Sequence, residues 1–408
     1  MYFCARRPTC IRARCIMADR AADETYMREA LTWARRGLGR TSPNPVVGTV
    51  VVRDGQVIGR GFHRRAGEPH AEVVALQEAG PRAGGATLYV TLEPCPTTGR
   101  TGPCTEAILQ AGVARVVVAT RDPDPHVDGR GVQRLRGAGV DVIEGVLARE
   151  ALHLNEAYVV HRRTGRPFVT LKWAMSLDGK ISARRDVRTM ISGEQSLLYD
   201  HELRNVHDAV LVGIGTVLAD DPQLTCRLAG GRDPLRVVLD SRLRTPRHAK
   251  LLHLDSPAPT LIVASEHASQ DRVATLRGAG AEVLVLPGER PSLRDLMEAL
   301  AHRGVLSVLI EGGGTVNAAA LAEGVVHKVI AIVGPGLIGG ADAPTAVDGP
   351  GPLDPNGLLR LAGVSVRQMG DDVVITGYLP EAKSLLDAEL SAEPLIQAAA
   401  AREATEDR

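Results

Sequence analysis

The sequence predicts an α/β protein built as two layered domains. Two observations predict it. Short apolar runs of strand length alternate with helical periods along most of the chain. A Gly165-Arg166-Pro167 turn divides that alternation into two halves, and no repeat links them. The 408 residues are enough for two or three domains with sizeable cores. Aromatics make up only 3%, so those cores must rest on Val, Leu, Ile and Ala.

In the first half, residues 23–37 carry apolar positions at Tyr26, Met27, Ala30, Leu31 and Ala34, a helical period. Thr41-Ser42-Pro43-Asn44-Pro45 is a stiff turn leading into a buried strand over 46–52. Asp54-Gly55 predicts a hairpin into a second strand over 57–62. Helix is expected over 70–78, 103–110, 131–137 and 149–162, and strand over 86–92, 114–119 and 140–143. In the second half, strands are expected over 168–174, 209–212, 235–239, 260–263, 282–285, 305–311, 328–333 and 372–377. Helices fall over 194–205, 271–279, 293–302 and 316–322. Residues from 380 on are Ala/Glu-rich with helical spacing, a tail that docks or frays. Residues 1–17 are rich in Arg and Cys and lack acidic residues. They read as a transit leader or as the product of an upstream start codon, with Met17 as an alternative start. The expected limits are a leader over 1–22, domains over 23–164 and 165–379, and a tail over 380–408.

Composition excludes some functions. Lys+Arg and Asp+Glu are both 48, so a nucleic-acid or anionic-membrane binder that relies on bulk charge is not expected. No apolar run approaches a membrane span. Six cysteines do not make a disulfide framework and suit a reducing compartment, hence the cytoplasm. Lys occurs only at Lys172, Lys180, Lys250, Lys328 and Lys383, so each is more informative than usual.

One constellation carries chemistry. His70 opens a helical period, Glu72 follows, Cys95 ends Thr91-Leu92-Glu93-Pro94-Cys95, and Cys104 opens another helix. One imidazole and two thiolates are three ligands for a tetrahedral zinc with one open position. A carboxylate beside that position, and not itself a ligand, can take a proton from water and return it to departing ammonia. The order H-x-E, P-C, C is the signature of zinc-dependent deaminases. A closed structural zinc site lacks its fourth ligand here and leaves Glu72 without a role. The eight residues between the cysteines form a loop long enough to touch substrate. Arg100 on that loop suits a phosphate, against the ordinary alternative of a solvated arginine. In the second half, Gly312-Gly313-Gly314 between a strand and a helix is a candidate phosphate cradle. Lys180 follows an Asp-Gly turn. There is no G-x-G-x-x-G after the first strand of this half, so a Rossmann site is not indicated.

Longer strings carry a family resemblance. They are Pro43-Asn44-Pro45-Val46-Val47-Gly48, Gly61-Phe62-His63, Gly67-Glu68-Pro69-His70-Ala71-Glu72, the string ending at Cys95, Gly99-Arg100-Thr101 with Cys104, and Arg121-Asp122-Pro123. The second half adds Ser176-Leu177-Asp178-Gly179-Lys180, Thr216-Val217-Leu218-Ala219-Asp220-Asp221-Pro222, Leu224-Thr225 with Arg227, and Glu311-Gly312-Gly313. Over residues 23–379 the chain resembles the bifunctional deaminase–reductases of riboflavin biosynthesis. The resemblance implies a cytidine-deaminase-like α/β/α domain followed by a dihydrofolate-reductase-like α/β domain. It implies one zinc per chain on His70, Cys95 and Cys104, with Glu72 as proton shuttle. Asn44, His63, Arg100 and Asp122 would meet a phosphorylated pyrimidine. It also implies NADPH along Ala174, Met190, Thr216, Asp220, Ser241 and Gly312, Gly313 and Gly314. Arg188, Arg204, Leu224, Arg227 and Glu311 would hold the reductase substrate; Arg188 and Met190 rest on a gap-free alignment through 181–192. No side chain stands out as proton donor, and water is left to serve. A small-molecule enzyme, homo-oligomeric and free of nucleic acid and membrane, is the expectation. Where relatives carry a His after the first zinc cysteine, this chain reads Pro96-Thr97-Thr98, which leaves the ligands intact and puts substrate contacts in question. A polynucleotide deaminase with an accessory domain is disfavoured by the zero net charge and the long loop. A non-catalytic zinc protein is disfavoured by Glu72.

Overall fold

The computed structural model describes residues 8–97, 102–349, 351 and 357–391, with 8–19 as backbone only. The chain divides into two compact units, Met1–Val159 with Leu386–Arg408, and Val160–Leu385.

The first unit holds α1 (Pro8–Ala34), β1 (Gly48–Arg53), β2 (Gln56–Phe62), α2 (Ala71–Ala79), β3 (Thr87–Val90), α3 (Cys104–Gln110), β4 (Arg115–Val118), α4 (Arg130–Gly137), β5 (Asp141–Glu144) and α5 (Ala148–Leu154). The five strands lie in the order β2-β1-β3-β4-β5. The hairpin β1–β2 and the pair β1–β3 are antiparallel, whereas β3, β4 and β5 run parallel. Strand side chains alternate between faces. Val51, Leu88, Val90, Val116 and Val118 face Ala75, Leu76, Ile108 and Leu135 from α2, α3 and α4. Val50, Val52, Tyr89 and Val117 face Met27, Ala30 and Leu31 of α1 and Ala151 of α5. Each fully buried Leu or Ile contributes roughly 1.5–3 kcal/mol by leaving water. The result is the three-layer α/β/α arrangement.

Two glycines bring α2 unusually close. A Cβ on Gly59 would lie 2.2 Å from the Ala75 carbonyl, and one on Gly61 would lie 2.2 Å from that of Ala71. The backbone of α2 therefore rests on β2 with no side chain between them. This contact fixes the helix whose first turn carries the candidate zinc site.

The expected helix over 149–162 is two helices, α5 and α6 (Glu156–Thr164). The break falls at Asn155, which is buried. Its amide accepts the Val46 N–H (2.8 Å) and donates to the Val46 carbonyl (2.9 Å). That residue lies 109 positions upstream. The two units part between Val159 and Val160, within α6, a few residues before the expected turn at Gly165.

The second unit runs β6 (Phe168–Ser176), α7 (Glu194–Val206), β7 (Ala209–Gly213), α8 (Ile214–Asp220), β8 (Leu235–Leu239), β9 (Thr260–Ser265), α9 (Gln270–Gly278), β10 (Glu282–Leu286), α10 (Leu293–His302), β11 (Ser307–Ile310), α11 (Gly314–Ala322), β12 (Lys328–Gly334), β13 (Ala362–Met369) and β14 (Asp372–Tyr378). The strand order is β10-β9-β8-β7-β11-β6-β12-β14-β13. The first seven are mutually parallel, and β14 and β13 close one edge antiparallel. Parallel strands are covered on both faces, which is why β7 and β9 are buried throughout. From β7 the chain steps outward to β10 and returns through β11, so strand order reverses beside β7. Ligands of open parallel sheets bind at the carboxyl ends of strands at such a reversal. The sequence does not predict β13 or α8. Helix α12 (Pro380–Ser391) begins the expected tail; residues 392–408 and residues 1–7 of the expected leader lie outside the described residues. Among the described residues no helix is long and apolar enough to cross a membrane.

Candidate functional site

In the first unit, both helix starts next to the sheet deliver a metal donor. His70 is the N-cap of α2 and Cys104 is the first residue of α3. Cys95 comes from the loop after β3. Their three donor atoms all lie within 4.8 Å of one another. His70 Nδ1 is 3.1 Å from Cys104 Sγ and 3.6 Å from Cys95 Sγ. The Cys104 N–H points at Cys95 Sγ (3.5 Å), and the Thr105 N–H donates to the Cys95 carbonyl (3.2 Å). The hydrogen bond between the two sulfurs, and then His70, lowers the Cys95 thiol. That bond and burial push Cys104 up. Ionising one sulfur thus opposes ionising the other beside it. A divalent cation is the partner that lets both ionise, so the donor set fits zinc.

Glu72 lies one residue into α2 and is 3% exposed. Burial, and next the Cys95 thiolate, push its carboxyl up to about 7. A cation on the three donors would draw it back down.

Asn44 and His63 form a chain toward the metal donors. The His63 Nδ1 lies 3.3 Å from the Pro69 carbonyl, and its Nε2 lies 3.0 Å from the Asn44 amide nitrogen. Both bonds are made by one neutral tautomer, with Nδ1–H donating and Nε2 accepting. Burial lowers the His63 pKa, which favours that form. The His63 and His70 rings meet edge to face at 5.3 Å. Asp122 follows β4 and is buried. Its carboxylate accepts from the Tyr158 hydroxyl (3.0 Å) and the Asp124 N–H (2.9 Å), and burial raises it to about 6. Arg100 lies outside the described residues.

In the second unit, a cleft of about 1450 Å³ opens at the carboxyl ends of the parallel strands. Every cofactor and substrate residue that the resemblance implies in the second half lines it. These are Ala174, Arg188, Met190, Arg204, Thr216, Asp220, Leu224, Arg227, Ser241, Glu311 and Gly312, Gly313 and Gly314. Leu224 does so from a left-handed backbone (φ 55°). Arg204 is not a free phosphate grip. Its guanidinium pairs bidentately with Glu311 (2.7 and 2.5 Å) and also donates to the Thr225 carbonyl. Burial alone would raise Glu311, and Arg204 more than offsets it, holding the carboxyl below its usual range. Arg227 is exposed and bonds Gln223 (3.2 Å).

Sequence reasoning missed two cleft residues. Lys172, inside apolar β6, pairs with Asp200 of α7 at 2.6 Å, and both are largely buried. Both line the cleft with Glu311. The scarcity of lysine was the available signal. It drew attention to Lys180, whose ammonium donates to the Ala343 carbonyl (3.2 Å), rather than to Lys172.

Comparison with known proteins now assigns the chain. Residues 20–120 match the model for the cytidine and deoxycytidylate deaminase zinc-binding region, and residues 167–375 match that for the RibD C-terminal domain. The riboflavin biosynthesis protein RibD of Synechocystis is 43% identical over 88% of this chain and 96% of its own length. The chain belongs to the RibD family. The RibD of Escherichia coli K12 is 39% identical over 86% of this chain and 98% of its own. Acinetobacter baumannii RibD superposes with a TM-score of 0.78 at 38% identity, covering 88% of this chain and 99% of that one. A Thermotoga maritima structure described as a diaminohydroxyphosphoribosylaminopyrimidine deaminase/5-amino-6-(5-phosphoribosylamino)uracil reductase has a TM-score of 0.77 at 36% identity, over 88% and 99%. This member of the RibD family is accordingly a bifunctional enzyme of riboflavin biosynthesis, a zinc-dependent deaminase joined to a reductase.

Proposed function

We propose that the first unit deaminates 2,5-diamino-6-(5-phosphoribosylamino)pyrimidin-4-one. The second then reduces the ribosyl side chain of 5-amino-6-(5-phosphoribosylamino)uracil to ribityl with NADPH. The convergence of His70, Cys95 and Cys104 beside a buried, non-ligating Glu72 carries the first half of this reading. Zinc held by those donors would lower the pKa of a water in the open position. Glu72, buried beside the donors and not one of them, is placed to hold a proton and pass it to the departing nitrogen. His63 holds Asn44 toward the substrate ring, and Asp122 contributes an acceptor.

For the second half, we assign NADPH to the border formed by Ala174, Met190, Thr216, Asp220, Ser241 and the 312–314 turn. Arg242, Arg244 and Arg290 line the same cleft, and a guanidinium suits a 2′-phosphate. Substrate falls to Arg188, Leu224, Arg227 and Glu311. Arg227 grips the phosphate, and Arg204 acts by keeping Glu311 ionised. The functional domains are assigned to 23–164 and 165–379. A homo-oligomer in the cytoplasm, free of nucleic acid, completes the reading on family grounds.

Elemental analysis of the purified chain tests the metal site. One zinc per chain is expected, and Cys104→Ala should lose it. Full occupancy in that variant would mean the donors are misassigned.

A further inference from the structure

Glu93 is buried at 3% exposure and takes no part in the chemistry described above. Its carboxylate accepts three backbone N–H groups. Oε2 takes those of Asp122 (3.3 Å) and Gly129 (2.9 Å), and Oε1 takes that of Val132 (3.0 Å). Its own N–H donates to the Thr120 carbonyl (3.0 Å). Glu93 stands two residues before Cys95, whereas its partners all lie in the segment 120–132 that carries Asp122. The two segments also touch through backbone. A Cβ on Gly131 would lie 2.0 Å from the Pro94 carbonyl oxygen, so only glycine lets α4 begin there. One anion thus joins the loop bearing a zinc donor to the turn bearing a substrate contact. A carboxylate holding three backbone donors gains from its charge on each bond. A neutral side chain cannot serve all three.

We propose that Glu93 is a positioning residue of the deaminase: it fixes where the Asp122 carboxylate stands relative to Cys95. Asp122 is held from its other side by the Tyr158 hydroxyl. Asp122 is thus held at its backbone N–H by Glu93 and at its carboxylate by Tyr158 and the Asp124 N–H, before substrate arrives. Preorganisation of this kind acts on binding before it acts on the chemical step. The proposal rests on the reading of Asp122 as a substrate contact.

The experiment uses the full chain and its aminopyrimidine substrate. Glu93→Gln keeps size and removes the charge. Tyr158→Phe loosens Asp122 from the opposite side, and Asp122→Asn reports on the contact itself. Each variant is measured for zinc content, reductase activity, and deaminase kcat and KM separately. The expected result is full zinc, unchanged reductase activity and a KM raised roughly tenfold in both Glu93→Gln and Tyr158→Phe, with kcat changed far less. A merely structural Glu93 would lower zinc content and apparent kcat together at constant KM, and that outcome overturns the proposal. Unchanged kinetics in Glu93→Gln overturn it as well. If Asp122→Asn leaves KM untouched, the substrate reading of Asp122 fails first, and the proposal falls with it.

Discussion

Replacing Arg204 by Met removes the cation from a buried bidentate pair. The two N–O contacts of 2.7 and 2.5 Å put the charge centres about 4 Å apart, where an effective dielectric near 20 gives roughly 4 kcal/mol of attraction. The side chains are only 16% and 12% exposed, so solvent screening is slight. Loss of one partner strands the other charge, at a cost of about 3–5 kcal/mol. Arg204→Met and Glu311→Gln should each destabilise the second unit by that order. The double variant Arg204→Met/Glu311→Gln should lose less than the sum, with a coupling of about 2–3 kcal/mol. Trp33 and Trp173 are the only tryptophans. In a Trp33→Phe background, urea unfolding followed by fluorescence therefore reports on Trp173 and the second unit. The pH sense is fixed. The Glu311 pKa is lowered on folding, so the pair's stabilisation is present above the unfolded value near 4.5 and fades as pH falls below it. If Arg204→Met raises the reductase KM without changing stability, Arg204 grips substrate directly and the argument is wrong.

Glu72→Gln should lower deamination by roughly 10²–10⁴-fold while zinc content and NADPH oxidation on the deaminated substrate persist. Arg227→Ala should do the reverse, weakening the reductase substrate and sparing ammonia release; loss of both activities from either change in a folded protein would point to one shared site. NADPH should be preferred to NADH, and Arg242→Ala with Arg244→Ala should erode the preference, read as the ratio of kcat/KM values. His327 stacks on Phe168, and its Nδ1 accepts the Val169 N–H at 3.0 Å, so burial lowers its pKa to about 4. The unfolded chain takes that proton first as pH falls from about 6.5. Roughly 3 kcal/mol of stability should then drain away by about pH 4, and His327→Gln should flatten the slope.

Most of the α/β order was legible because parallel and half-buried strands write their burial into the sequence. The exceptions have non-local causes. Strand β13 is exposed along most of its length, with Val364 at 53% and Val366 at 65%, and it forms by pairing with β14 rather than by hiding an apolar face. The break at Asn155 depends on the Val46 backbone, which periodicity cannot anticipate. The zinc donors and Glu72 could be read because ligand chemistry demands particular residue types. Glu93 sits within the same string, yet its work is done on backbone N–H groups, which leave no mark in a sequence. Lys172 was hidden by the apolar strand around it. Arg204 was read as a substrate contact, and residue type alone does not reveal that two of its five donors already meet Glu311.

His70 caps the start of one helix and Cys104 is the first residue of another. Helices open from their tips long before a domain unfolds. A bound ion would therefore tie together two tips that belong to separate helices. Its escape needs only one of them to open for a moment, not the loss of the sheet beneath. Exchange of the metal with a chelator should proceed on the timescale of local opening, and the emptied protein should remain folded and ready to be refilled.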